Sequence, residues 1–76
     1  MPIKRLLLIF PEELINEPVI FTMAKLFDVM PNIRQANVTE YSGEMLLELE
    51  GSEQRLDQSI AYLKSRGITV SSIEHA

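Results

Sequence analysis

Leu6-Leu7-Leu8-Ile9-Phe10, led in by Lys4-Arg5 and stopped by Pro11, is the stretch on which the fold turns. It is apolar at every position, so as a strand it carries large side chains on both faces. Such a strand belongs in the middle of a sheet with cover on either side. Lys4 and Arg5 mark its solvent end. The run falls far short of the ~20 apolar residues that cross a bilayer. Pro11-Glu12-Glu13 offers no small-residue cleavage site, so the run is no secretory signal either. The expectation is a cytoplasmic protein with no membrane insertion.

Working outward, Pro11 to Ile15 reads as a short loop. Asn16 then stands where a helix N-cap would, with Glu17 and Pro18 in the first turn. Val19, Ile20, Met23, Phe27 and Met30 follow at helical spacing, with Leu26 beside them, and Pro31 should end this helix, placed near residues 17–29. From Asn32 to Tyr41 the alternation is imperfect. Ile33, Gln35, Asn37, Thr39 and Tyr41 share one side, and Arg34, Ala36, Val38 and Glu40 the other. Neither set is clearly apolar, which suggests an exposed edge strand with a bulge. Ser42-Gly43-Glu44 reads as a tight turn. Met45, Leu47 and Leu49 then face inward and Glu48 and Glu50 outward, with Leu46 the apolar exception. Gly51 breaks that strand. Ser52 caps a second helix running to about Arg66, with Leu56, Ile60 and Leu63 as its buried seam and Gly67 closing it. Ile68 to Ile73 alternates as a last strand.

The order β-α-β-β-α-β defines an α+β, two-layer sandwich of the ferredoxin-like kind: a four-stranded antiparallel sheet with two helices on one face. Right-handed crossovers place the first and third strands in the centre, and those are the two most apolar runs. One domain over residues 1–76 accounts for the whole chain. The architecture has a consequence for the first strand. Either Leu6, Leu8 and Phe10 or Arg5, Leu7 and Ile9 must face away from the helices, and Leu46 lies near them. An apolar patch on so small a protein points to a partner surface, a second copy of the chain or another protein.

Composition removes most chemistry. A 76-residue chain has room for one modest core, and it holds no cysteine, so disulfides and cluster ligands are absent. Its one histidine, His75, sits by the C-terminus and cannot build a metal site alone. The net charge of −4, with 7 basic residues spread from Lys4 to Arg66 and no basic stripe, argues against nucleic acid as a partner. Gly43, Gly51 and Gly67 are isolated, so there is no phosphate loop. No nucleophile has a base within the sequence pattern. The reading is a protein that is not an enzyme and takes no cofactor.

Asn16-Glu17-Pro18-Val19-Ile20, Asn32-Ile33-Arg34, Leu47-Glu48-Leu49-Glu50-Gly51 and Ala61-Tyr62-Leu63 together resemble the NIL domain family over about Arg5 to Ile73. The family takes its name from an Asn-Ile-Leu tripeptide, and Arg34 stands here where that leucine would be. The resemblance implies a ferredoxin-like regulatory domain similar to amino-acid-binding ACT domains. In methionine-importer ATPase subunits such a domain dimerises and binds L-methionine between subunits. The resemblance points to Asn32, Ile33 and Arg34 as the ligand site; as residues, Asn32 can supply polar bonds, Ile33 an apolar wall and Arg34, if it turns inward, a partner for a carboxylate. Two functions stay open: an amino-acid sensor acting as a homodimer, and a ligand-free interaction module acting through its dimer surface or sheet edge.

Overall fold

The computed structural model, which describes residues 2–73, realises the β-α-β-β-α-β order. The strands are β1 (Ile3–Phe10), β2 (Met30–Val38), β3 (Gly43–Glu50) and β4 (Thr69–Ser72); the helices are α1 (Val19–Phe27) and α2 (Glu53–Ser65). They form one antiparallel sheet in the order β2-β3-β1-β4, so the two most apolar strands are central. His75 lies outside the described residues.

The ladder between β1 and β3 settles which way the first strand faces. Leu6 pairs with Leu47, and both are fully buried with Leu8 and Leu49. Met23 of α1 and Leu56 and Leu63 of α2 are equally buried and complete the core. Fully burying a side chain of this size contributes roughly 1.5–3 kcal/mol. Arg5, Leu7 and Ile9 therefore point to the face without helices, opposite Glu48, Leu46 and Glu44.

The second helix follows its sequence signals closely. The Ser52 hydroxyl accepts a hydrogen bond from the Arg55 backbone N–H at 3.3 Å. Ser59, not anticipated as a core position, is fully buried, and its hydroxyl donates to the Arg55 carbonyl at 2.7 Å, so no polar group is stranded. Ile60 is only partly buried. Gly67 adopts φ +95, the left-handed turn that lets Ile68 N–H bond back to the Leu63 carbonyl at 3.2 Å. Gly51 is a matter of space: a Cβ there would lie 2.9 Å from Val29 Cγ1.

The first helix departs from its signals at both ends. Asn16 is not its cap. Glu12–Leu14 forms a short 3-10 helix, Asn16 lies in the turn beyond it, and Pro18 occupies the cap position with no side-chain bond. The Pro18 carbonyl does the holding instead, accepting both the Thr22 N–H and the Thr22 hydroxyl at 3.0 Å. Nor does Pro31 end the helix. Asp28 does so in the left-handed conformation at φ 53, a place a short polar residue tolerates. Met30 and Pro31 then belong to β2, where an outer strand accommodates proline. The helices meet through Phe27 and Tyr62, ring centroids 5.6 Å apart and edge to face, and Arg66, the C-cap of α2, pairs with Glu17, two residues ahead of α1, at 2.8 Å.

The expected turn at Ser42-Gly43-Glu44 is displaced. Thr39 to Ser42 makes the reversal, with the Thr39 N–H bonded to the Ser42 carbonyl at 2.8 Å, and Gly43 already belongs to β3.

Two denaturation measurements check this account. Ser52→Ala should lower unfolding free energy by about 1 kcal/mol, the usual loss of an N-cap, while Asn16→Ala should change it by less than ~0.5 kcal/mol. Leu63→Ala should cost roughly 2–5 kcal/mol in urea unfolding, the range for a buried leucine.

Candidate functional site

Asn32 lies inside β2, not at a helix junction, because the helix has already ended at Asp28. It pairs with Glu48, which pairs in turn with Arg5 on the far side. The three side chains thus share one row across the face that the helices leave bare. Ile33 pairs with Leu47 and so points to the opposite, helix-bearing face, where it stays 52% exposed. The sequence grouped Asn32, Ile33 and Arg34 as neighbours; strand alternation separates the middle one from its flanks.

Arg34 is the extra residue of a bulge. The register steps from Ile33 opposite Leu47 to Gln35 opposite Leu46. This step explains the mixed polarity of the strand. Ahead of it Ile33, and beyond it Ala36 and Val38, share the helix side, while Asn32, Gln35 and Asn37 share the bare side. A regular alternation would have divided the apolar residues between both faces.

The electrostatics of the row centre on Glu48. Arg5 Nε donates to Glu48 Oε2 at 2.8 Å, and Arg34 Nη1 stands 3.9 Å from Glu48 Oε1, beyond hydrogen-bond reach. Two guanidinium groups thus bracket one carboxylate that is 21% exposed. Beside them is a shallow depression of about 320 Å³, lined by Ile3, Met30, Pro31, Asn32, Glu48 and Glu50. It holds part of what an α-amino acid needs: the Asn32 amide both donates and accepts, and Glu48 and Glu50 are acceptors for an ammonium group, whereas the Arg34 guanidinium, 3.9 Å from Glu48, stands outside the lining. Ile3 and Met30 supply apolar walls, each more than half exposed. The depression is open on its solvent side, whereas small-molecule sites bury ~70–90% of a ligand. Leu7, Leu46 and Ile9 continue the bare face as an apolar strip. Among the described residues no group of acidic or histidine side chains is arranged to hold a metal ion. No described helix is long and apolar enough to cross a membrane.

In the sequence Arg5 reads as a strand start and Glu48 as an outward-facing acid. Their pairing was not legible in the sequence, because it depends on which residues the β1–β3 register sets side by side.

Comparison with known proteins adds the following. The model of the NIL domain family matches residues 4–72. Methionine import ATP-binding protein MetN 2 of Acinetobacter baylyi is 39% identical over 59 residues, 72% of this chain and 17% of that protein. Methionine import ATP-binding protein MetN 1 of Listeria innocua is 32% identical over 63 residues, 78% of this chain and 19% of that protein. The chain thus spans less than a fifth of these relatives. In three dimensions it matches the C-terminal domain of an ABC transporter ATP-binding protein from Enterococcus faecalis, with a TM-score of 0.81, 23% identity, and 96% and 86% of the two chains covered. A de novo designed protein, Foldit4, also matches, with a TM-score of 0.57 and 7% identity over 97% of both chains. The architecture alone therefore carries no function.

Because Asn32 and Arg34 are exposed on an outer strand, Asn32→Ala and Arg34→Ala should each leave unfolding free energy within ~0.5 kcal/mol of the parent. Chemical denaturation followed by circular dichroism checks this.

Proposed function

Since the chain belongs to the NIL domain family, we propose that it is a regulatory module that binds an amino acid, L-methionine foremost, between two copies of itself. The observation that carries the reading is the Asn32 depression, which has an amide, two carboxylates and apolar walls but no roof, with the Arg34 guanidinium 3.9 Å from its Glu48. A second copy docked on the bare face would supply the roof and cover Leu7, Ile9 and Leu46. The relatives named as methionine import proteins support methionine as the first ligand to test. The role is regulatory and not catalytic: a bound amino acid would shift the dimer between states, and nothing in the row performs bond chemistry. That these relatives are ATP-binding proteins supports a cytoplasmic setting for the module.

A second reading rests on a specific feature. β2 is an outer strand of nine residues, and all but Pro31 are exposed. Such an edge can take up an extended segment of another protein by backbone pairing, without any small ligand.

The experiment is a thermal-shift series with each of the twenty amino acids, together with light scattering. The expected mass is twice 8.7 kDa at micromolar concentration. L-methionine at a hundred times its dissociation constant should stabilise the protein by about 2.7 kcal/mol. Asn32→Ala should weaken that binding by roughly 1–3 kcal/mol while the dimer persists. A monomer mass at all concentrations refutes the shared site, and no shift with any amino acid leaves the interaction-module reading in its place.

A further inference from the structure

The bare face carries its unmatched charges at opposite ends. Row by row along β3, Glu48 lies between Arg5 and Asn32, Leu46 between Leu7 and Gln35, and Glu44 between Ile9 and Asn37. Arg5 is bound to Glu48 at 2.8 Å, so the second cation of that row is Arg34, which is exposed and beyond hydrogen-bond reach of the carboxylate. At the other end Glu44 is exposed and makes no ion pair among the described residues. Leu7 and Leu46, only partly buried, stand midway between the two.

A pattern of cation, leucine and anion is complementary to itself when inverted. A two-fold axis running across the strands at Leu46 lays one sheet on another with strand ends exchanged. Arg34 of each copy then meets Glu44 of the other, and leucine meets leucine. An axis running along the strands sets Glu44 against Glu44 and the arginine row against its own kind, which costs affinity. Contacts between identical copies require this kind of self-complementarity. The charges therefore select a second copy as the occupant of the face, and one orientation for it.

The same inversion decides what lies over the Asn32 depression. Its outer wall, Ile3, Met30 and Glu50, is one row beyond Glu48. One row beyond Glu44 in the facing copy is the turn Thr39–Ser42, which joins β2 to β3. That turn is braced, because the Thr39 hydroxyl accepts the Tyr41 N–H at 3.2 Å and the Ser42 N–H at 3.1 Å. Tyr41 in it is 71% exposed.

We propose that the second copy docks inverted, with Arg34 paired to the partner's Glu44 on both sides of the axis, and that the hairpin turn bearing the partner's Tyr41 closes the Asn32 depression. The inference rests on the shared-site reading and adds to it the orientation of the copies and the residue that forms the roof. An aromatic ring suits that place, because it covers Ile3 and Met30 and buries the apolar part of a ligand between them. Within one copy Tyr41 and the depression are at opposite ends of the sheet, so Tyr41 reaches a ligand only across the two-fold.

Sedimentation velocity on the full chain gives the dimer dissociation constant for the parent, Arg34→Glu and Glu44→Arg. Each reversal sets like charges together at both contacts and should weaken the dimer about tenfold or more, with the circular dichroism spectrum unchanged. An equimolar mixture of the two variants restores both pairs and should dimerise as the parent does. Tyr41→Ala should keep the dimer but bind L-methionine about tenfold more weakly by calorimetry. Mixed with Asn32→Ala, it should regain sites of parent affinity, because a mixed dimer holds one site with both residues intact. A monomeric parent overturns the shared-site reading and this inference together. A dimer whose constant neither reversal changes, or whose reversed variants fail to complement each other, overturns the inverted docking alone. Parent-like methionine binding in Tyr41→Ala overturns the roof. The charge reversals need no ligand, so they decide the docking even for a dimer that does not bind methionine.

Discussion

The pairing of Leu6 and Leu8 in β1 with Leu47 and Met45 in β3 is the contact on which the other elements depend. It sets the floor on which Met23, Leu56 and Leu63 pack, and those residues bring the two helices to the same side. In a chain of 76 residues there is no second core to fall back on. A one-residue slip of β1 along β3 would turn Leu6 and Leu8 to water and bring Arg5 inward, away from Glu48. The register is therefore held by the cost of burying a guanidinium parted from its carboxylate as much as by the gain from burying leucine.

The same constraint creates the bare face. With both helices on one side, the residues out of phase with the core must meet solvent or a partner. On this sheet they comprise an apolar strip, Leu7, Leu46 and Ile9, and a charged row, Arg5, Glu48 and Arg34 with Asn32. A strip of leucine and isoleucine beside a bracketed carboxylate is suited to a covered surface. At covered surfaces of this kind apolar groups supply affinity and polar groups supply register. The bulge at Arg34 keeps this division clean, because it resets β2 so that its polar residues stay on the bare side beyond the step.

The two ends of the sheet differ in charge. Arg5 and Arg34 stand with Glu48 in the row with Asn32, whereas the hairpin end carries Glu12, Glu13, Glu17, Glu40 and Glu44, the last of them on the bare side of the sheet. Segregation of this kind arises from chain path and not from composition. Phe10 ends β1 where β3 begins, so the acidic segments after β1 and before β3 converge.

Local signals sufficed where one residue decides one feature. Ser52 at a helix start, Gly67 at its end, the unbroken apolar run of the first strand and the alternation of Met45, Leu47 and Leu49 each specify their element by backbone sterics or burial alone. From these the element order, the sheet order and the central strands follow. The signals failed where several residues offered the same service. Asn16 and Pro18 both suit a helix start, and Pro31 and Asp28 both suit an end; the choice fell to the packing of Val19, Met23 and Phe27, which fixes how long α1 can remain on the core. The site followed the same division. Asn32 and Arg34 were recognisable as residues, but a strand places neighbours on opposite faces, so Ile33 was lost to the other side. Glu48 and Arg5, 43 positions apart in sequence, entered the site only through the register of β1 on β3. No window of sequence contains that register, because it is set by long-range burial of the leucines between them.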